Sequence, residues 1–237
     1  MIIRNLKKVY GGQTVLDRVA MTAEPGEMIA VLGPSGSGKS ALLKCIALRE
    51  KWDSGELIYD GDDLLKQGWL AQQRYKSVCT YLPPKEAGLN PNKTALKNVL
   101  SGLLPMWRKL IGARTKMEYM TAMDYLENVG LLDLAHRKVM TLSGGEKQRV
   151  AVAKALIQGA ELIVADEPVI GLDPSSAQLV LQDLRYMCDK HKATVIFSVP
   201  QIEWAERYAT RIIGLVNGQV QFDITGRKLT SAERMKL

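Results

Sequence analysis

Nothing in this chain narrows its options more than Gly33-Pro34-Ser35-Gly36-Ser37-Gly38-Lys39-Ser40, which fits G-x-x-x-x-G-K-[ST], the spacing of a phosphate-binding loop. The flanks agree with it. Met28-Ile29-Ala30-Val31-Leu32 is a short apolar run of the kind that forms a buried strand, and Ala41 to Leu48 reads as the helix that follows. Glycines let the backbone curl so that successive N–H groups and the positive end of the helix converge on an anion. Lys39 is expected to reach the β- and γ-phosphates of a nucleoside triphosphate, and Ser40 to hold magnesium through its hydroxyl. Gly33, Pro34, Ser35, Gly36, Ser37, Gly38 and Ala41 complete the expected contacts of the loop. A glycine-rich turn that binds nothing is the competing reading, and the strand before and helix after oppose it.

At 237 residues the chain has room for one α/β domain with a sizeable core, or a core plus a smaller subdomain. No apolar run approaches the roughly 18 residues that a membrane span requires. Met1-Ile2-Ile3-Arg4 lacks the basic-then-apolar start of a signal peptide, so the expectation is a cytosolic protein. Cys45, Cys79 and Cys188 are scattered without metal-ligand spacing, and an odd count argues against a disulfide framework, which leaves reduced, small apolar side chains. The net charge of +7 suits an acidic partner, yet the charges form no block and solvated faces account for most of them.

Along the chain, Met1 to Gly12 reads as a strand with Ile2 and Leu6 on one face and Ile3 out of step, ending in the turn signal Tyr10-Gly11-Gly12. Val15 to Thr22 reads as its hairpin partner, which lays down an antiparallel layer before the loop strand. Tyr10, the aromatic shortly before the loop, is expected to stack on an adenine ring; an edge-strand tyrosine is the alternative. Asp53 to Gly61 looks like a short strand between turns, and Val78 to Leu82 like a buried strand stopped by Pro83-Pro84. From Thr94 to His136 the pattern is that of amphipathic helices, with Leu96, Val99 and Leu100, then Tyr119, Met123, Leu126 and Val129, at helical spacing. Met117, Met120 and Met123 recur every three residues, and core filler is the preferred reading over a partner-binding stripe. Trp107, Arg108, Lys109, Arg114 and Lys116 form a basic patch, read as a solvated face. Strands return at Leu162 to Ala165 and Thr194 to Ser198, with a helix from Ser175 to Lys190 between them. Asn217-Gly218 between apolar runs is the strongest hairpin signal in the chain. Strands alternating with helices imply a mostly parallel sheet, with a nucleotide at the carboxyl ends of its strands.

Two carboxylates, Asp166 and Glu167, close the apolar run Leu162-Ile163-Val164-Ala165. In nucleotide hydrolysis such a pair divides the work: Asp166 is expected to hold magnesium, and Glu167 to act as general base toward the attacking water. Leu142-Ser143-Gly144-Gly145-Glu146-Lys147-Gln148-Arg149 repeats the first loop's logic, with a serine hydroxyl and glycine N–H groups at a helix start making a second anion site. This stretch resembles the signature motif of the ATP-binding-cassette family. Phosphate loop, signature, Asp-Glu strand end and Gly171-Leu172-Asp173, which matches the family's D-loop, follow in the family's order over nearly the whole chain. The resemblance implies an α/β fold: a phosphate-loop core of about residues 1–82 and 158–237, an N-terminal antiparallel layer and a helical subdomain of about residues 83–157. It further implies ATP and magnesium, and a head-to-tail pair in which Ser143, Gly144, Gly145 and Asp173 of one subunit meet the ATP held by the other. Transmembrane permease subunits, a solute-binding protein, no nucleic acid and a place at the cytoplasmic face of the membrane follow from the same likeness. Asn98 to Gly102, Val150 to Gln158, Ala165 to Pro168 and Arg211 to Leu215 look most like importer ATPases, those for phosphonates in particular.

The sequence departs from the family twice. A glutamine that senses magnesium is usual just after the strand ending at Leu82; here Pro83-Pro84-Lys85-Glu86 follows. A histidine that contacts the γ-phosphate is usual after the strand ending at Ser198; here the residues are Val199-Pro200-Gln201, with Pro200 at or near that place. Lys85, Glu86 and Gln201 are the side chains nearby that carry polar groups. Loss of these contacts implies weak hydrolysis with binding retained, and a regulatory cassette whose closure matters more than turnover is the alternative function. A soluble cassette acting on DNA or ribosomes is disfavoured, because the insert is too short for the long coiled coil such proteins carry.

Overall fold

The computed structural model describes residues 1–66, 68–84, 88–103 and 115–237. Their packing falls into two compact units.

Met1–Tyr81, Glu161–Glu167 and Arg185–Leu237 form the first unit, which contains two sheets. In the smaller one, β1 (Ile2–Tyr10) and β2 (Gln13–Thr22) make an antiparallel hairpin. β4 (Ser54–Tyr59) pairs with the other edge of β1, and β5 (Asp62–Asp63) pairs with β4. The inward face of β1 differs from the sequence expectation: Ile3 and Leu6 are buried, while Ile2 is only half-buried. The cause is a break in register between Ile3 and Leu6, where Asn5 takes a φ of 51°. A bulge of this kind inserts a residue and resets which side chains face the core.

The larger sheet has the order β10-β9-β3-β8-β7-β6, comprising β3 (Met28–Leu32), β6 (Cys79–Leu82), β7 (Leu162–Ala165), β8 (Thr194–Ser198), β9 (Arg211–Val216) and β10 (Gln219–Thr225). β3 runs parallel to β8 and β9, β7 parallel to β8, and β10 returns antiparallel to β9 through the Asn217-Gly218 turn. Both turn residues have positive φ, 49° and 73°, as a tight hairpin turn of this hand demands. Every residue of β3, β7 and β8 is buried, the pattern of parallel strands covered on both faces. α1 (Lys39–Ile46) packs near β7 and β8 and buries Leu42, Leu43, Cys45 and Ile46. One core joins Leu6, Leu16 and Leu57 from the antiparallel layer to Ile29, Val31, Val164 and Ile196 from the larger sheet; each such side chain contributes about 1.5–3 kcal/mol on burial. α2 (Trp69–Val78) buries only Tyr75, whose hydroxyl donates to the Ile46 carbonyl at 2.6 Å. Cys45 and Cys188 are buried, Cys79 is half-buried, and all three thiols are free.

Leu82–Ala160 and Pro168–Leu184 form the second unit. Here α3 (Ala95–Leu100), α4 (Lys116–Asn128) and α5 (Gly144–Gln158) pack on one another. α6 (Pro174–His191) begins in this unit, α7 (Ile202–Tyr208) and the short α8 (Ser231–Arg234) in the other. Arg149 Nε on α5 donates to Asp183 Oδ2 on α6 at 3.0 Å. Leu96, Val99, Leu100, Leu126 and Val129 are buried as expected. The reading of Met117 and Met120 as core filler is wrong: they are 76% and 59% exposed, and Tyr119 is exposed too. The buried stripe of this segment is Ala122, Leu126 and Val129, and at 100° per residue Met117 and Met120 fall on the opposite side of the helix. Met123, between the two faces, is half-buried. Trp107, Arg108, Lys109 and Arg114 of the basic patch, with Lys85 and Glu86, lie outside the described residues; Lys116, exposed, opens α4. Among the described residues, no helix is long and apolar enough to cross a membrane.

Candidate functional site

At the carboxyl end of β3 lies a cavity of about 340 Å³ lined by Val15, Gly33, Ser35, Gly36, Gly38, Lys39, Ser40, Ala41, Glu167 and Pro200. The lysine of the loop ties back onto the loop's own backbone. Lys39 Nζ donates to the carbonyls of Gly33 at 2.8 Å and Pro34 at 2.9 Å, two of its three hydrogens. Burial pushes the Lys39 ammonium below its usual pKa, while the Glu167 and Asp166 carboxylates pull the other way. Ser37 is buried, accepts from the Gly218 N–H through its carbonyl, and leaves its Oγ unpartnered. Gly33 is required by space, since an added Cβ would stand 2.0 Å from the Leu215 carbonyl oxygen and 2.7 Å from Ser37 Oγ. Gly33→Ala is therefore expected to cost about 2–3 kcal/mol of stability, read as a lower denaturant midpoint at unchanged slope.

Asp166 is 2% exposed, and both of its carboxylate oxygens accept hydrogen bonds. Its Oδ1 accepts from Ser40 Oγ at 3.0 Å and Ser198 Oγ at 2.9 Å, and its Oδ2 from the Tyr81 hydroxyl at 3.2 Å. Glu167, the next residue, reaches the cavity wall through a backbone with φ 46°, and its N–H donates to Ser198 Oγ at 2.9 Å. A non-glycine residue in this conformation is strained and must be held by its surroundings; the hydroxyl at the end of β8 is one such hold. The donor set suits magnesium, which takes oxygen ligands and binds through one or two protein groups plus substrate phosphates. Ser40 Oγ and the Asp166 carboxylate are such groups. Among the described residues no group of three or more His, Cys, Asp or Glu side chains is placed to hold a metal ion, and a magnesium of this kind needs none.

Sequence reasoning placed Tyr10 on an adenine ring. In the structure Tyr10 is 42% exposed and its hydroxyl donates to Glu50, while Val15 lines the cavity. Pro200, at or near the place of the family's histidine, lines the cavity, and Gln201 occupies the N-cap of α7 without a side-chain cap hydrogen bond. Tyr81 and Ser198 were missed as site residues. Nothing in the sequence marks them, because each meets Asp166 across the sheet.

The signature stretch, in the second unit, opens α5. Ser143 caps that helix: its Oγ accepts from the Glu146 N–H at 3.2 Å, and Glu146 Oε2 accepts from the Ser143 N–H at 2.7 Å. Capping uses an acceptor lone pair, so the exposed hydroxyl keeps its hydrogen for donation. Gly145 is required by close packing, a Cβ there meeting Ser176 Cβ at 2.8 Å. Asp173 caps α6, its Oδ1 accepting from the N–H groups of Ser175 and Ser176, each at 3.0 Å, and from Ser175 Oγ at 2.5 Å. Those bonds hold its carboxyl well below the usual range.

A glycine loop between a buried parallel strand and a helix, with an acidic pair closing another strand of the same sheet, defines a phosphate-loop nucleotide-binding protein. The family model described as ABC transporter matches residues 16–170. The Mycoplasma mycoides "Phosphonates import ATP-binding protein PhnC" is 36% identical over all of this chain and 98% of its own length. The Shigella sonnei protein of the same name is 37% identical over 93% of this chain and 87% of its own. A "Hypophosphite import ATP-binding protein HtxD" from Stutzerimonas stutzeri is 35% identical over 96% of this chain and 67% of its own. Among solved structures, a dimeric post-hydrolysis ATP-binding cassette bound to ADP and Pi aligns with a TM-score of 0.81 and 30% identity, covering 96% of this chain and 99% of that one. The chain belongs to the ABC transporter family, and is an ATP-binding and ATP-hydrolysing subunit with the ABC ATPase fold.

Proposed function

We propose that this ATPase drives an importer for phosphonates or a related phosphorus oxyanion. The observation that carries the reading is the recurrence of one class of cargo in the names of relatives aligned over nearly the entire chain. Two copies pair head to tail, so that Ser143, Gly144 and Gly145 of one close on ATP held by Gly33 to Ala41 of the other, with Asp173 at the seam and Tyr10 against the adenine. Residues 83–157 act as the helical subdomain. Lys39 neutralises the β- and γ-phosphates; Ser40 and Asp166 hold magnesium, which screens the phosphate charge; Glu167 takes the proton of the attacking water. The pair sits at the cytoplasmic face of the membrane, beneath permease subunits that receive solute from a binding protein. In proteoliposomes holding permease and ATPase, binding protein loaded with methylphosphonate is expected to stimulate phosphate release. Stimulation by an unrelated solute and none by phosphorus oxyanions would overturn the cargo.

The loop's lysine gives a simpler test. Lys39→Ala removes a charge-assisted donor from the phosphates, and ATP is expected to bind about 10- to 100-fold more weakly, by fluorescent-nucleotide titration. Affinity within about twofold of the parent protein would displace the phosphates from this cavity.

A further inference from the structure

The carboxylate of Asp166 follows β7, the strand between β6 and β8 in the sheet. Each neighbour sends it one hydroxyl: Ser198 at the end of β8 bonds Oδ1 at 2.9 Å, and Tyr81 in β6 bonds Oδ2 at 3.2 Å. Ser40 Oγ sits on the Oδ1 side, at 3.0 Å. A carboxylate turns easily about its terminal torsion, whose wells are broad. Two donors arriving from opposite strands on different oxygens remove that freedom, leaving Oδ1 toward Ser40 and Oδ2 tied back. Tyr81 is itself held, with the Arg49 guanidinium 5.9 Å from its ring centroid.

We propose that Tyr81 is a positioning residue for the nucleotide's divalent cation: its hydroxyl fixes the rotation of Asp166 so that one oxygen of that carboxylate, beside Ser40, faces the metal. The inference rests on the magnesium site read above. Its physical basis is that of outer-sphere partners generally, which orient a ligand and tune its basicity and whose loss costs about 10- to 100-fold in metal affinity. With the phenol gone, Oδ2 is a buried acceptor without its donor, and the carboxylate regains the freedom to turn away from the cation. The competing account is that Tyr81 merely packs, since its ring lies half-buried against the hydrophobic core of the first unit.

Tyr81→Phe separates the two, because it keeps the ring and deletes only the hydroxyl. The measurement is the dissociation constant of a fluorescent, non-hydrolysable ATP analogue with full-length protein, once with magnesium and once with EDTA. In the parent protein magnesium is expected to tighten binding. In Tyr81→Phe that tightening should shrink about five- to twentyfold, while the constant in EDTA stays within about twofold of the parent's. A magnesium effect equal to the parent's overturns the role of Tyr81 and leaves the magnesium site standing. Equal weakening with and without the metal also overturns it, since a ring-packing defect would behave that way. Absence of a magnesium effect in the parent protein removes the metal site and this inference together.

Discussion

Glu167→Gln is expected to lower steady-state phosphate release by about 10²- to 10⁴-fold, the range of a lost general base, while ATP affinity stays within about twofold. The substitution is nearly isosteric, so the positive-φ backbone at 167 and the N–H bond to Ser198 Oγ are undisturbed; what disappears is the proton acceptor at the cavity wall. Because both anion cradles remain, ATP should accumulate in a closed pair, and chromatography of the variant with ATP should show a dimer where the parent protein passes through that state briefly. Phosphate release within about fivefold of the parent's would take the base assignment away from Glu167. A variant that stays monomeric at high concentration with saturating ATP would remove the arrangement in which Ser143 of one copy meets the nucleotide of the other.

The phosphate loop, the acidic pair and the Asn217-Gly218 hairpin were legible because each is local: the residues that make the feature are contiguous, and their types follow from backbone geometry. What escaped the sequence is what two distant segments decide together. The inward face of β1 is set by a bulge at Asn5, between strands paired on both sides, and no alternation within Ile2 to Leu6 announces it. α2 offered no apolar period to find, since Tyr75 is its one buried residue. Met117 and Met120 fit a helical period but lie off the buried stripe, which the small Ala122 shares with Leu126 and Val129. At the site, Tyr81 and Asp166 are 85 residues apart, and Ser198 and Asp166 32 apart. Strand order alone makes them neighbours, and a tyrosine in a buried strand reads as core until that order is known. Ser143 and Asp173 were assigned to the nucleotide from their motifs; both are also helix caps, and that local role was readable from serine three residues before glutamate and aspartate just before proline.

Pro200→His should raise the turnover number about tenfold or more. Pro200 shares the cavity wall with Lys39 and Glu167, and it is exposed, so a larger polar side chain meets no packed neighbour. Proline offers neither a side-chain donor nor an N–H. An imidazole N–H beside the terminal phosphate supplies a donor where negative charge builds as the phosphoryl group transfers. A fully preorganised donor of this kind is worth about 10²–10³ in rate; one introduced without its supporting contacts should deliver less. The gain should appear in kcat with little change in KM for ATP, because the contact strengthens in the transition state rather than in the bound ground state. Pro200→Ala is the control, since it frees the same backbone and restores the same N–H without adding a side-chain donor, and it should give no gain. If Pro200→His and Pro200→Ala turn over alike while Glu167→Gln still lowers release, the missing histidine does not limit this chain.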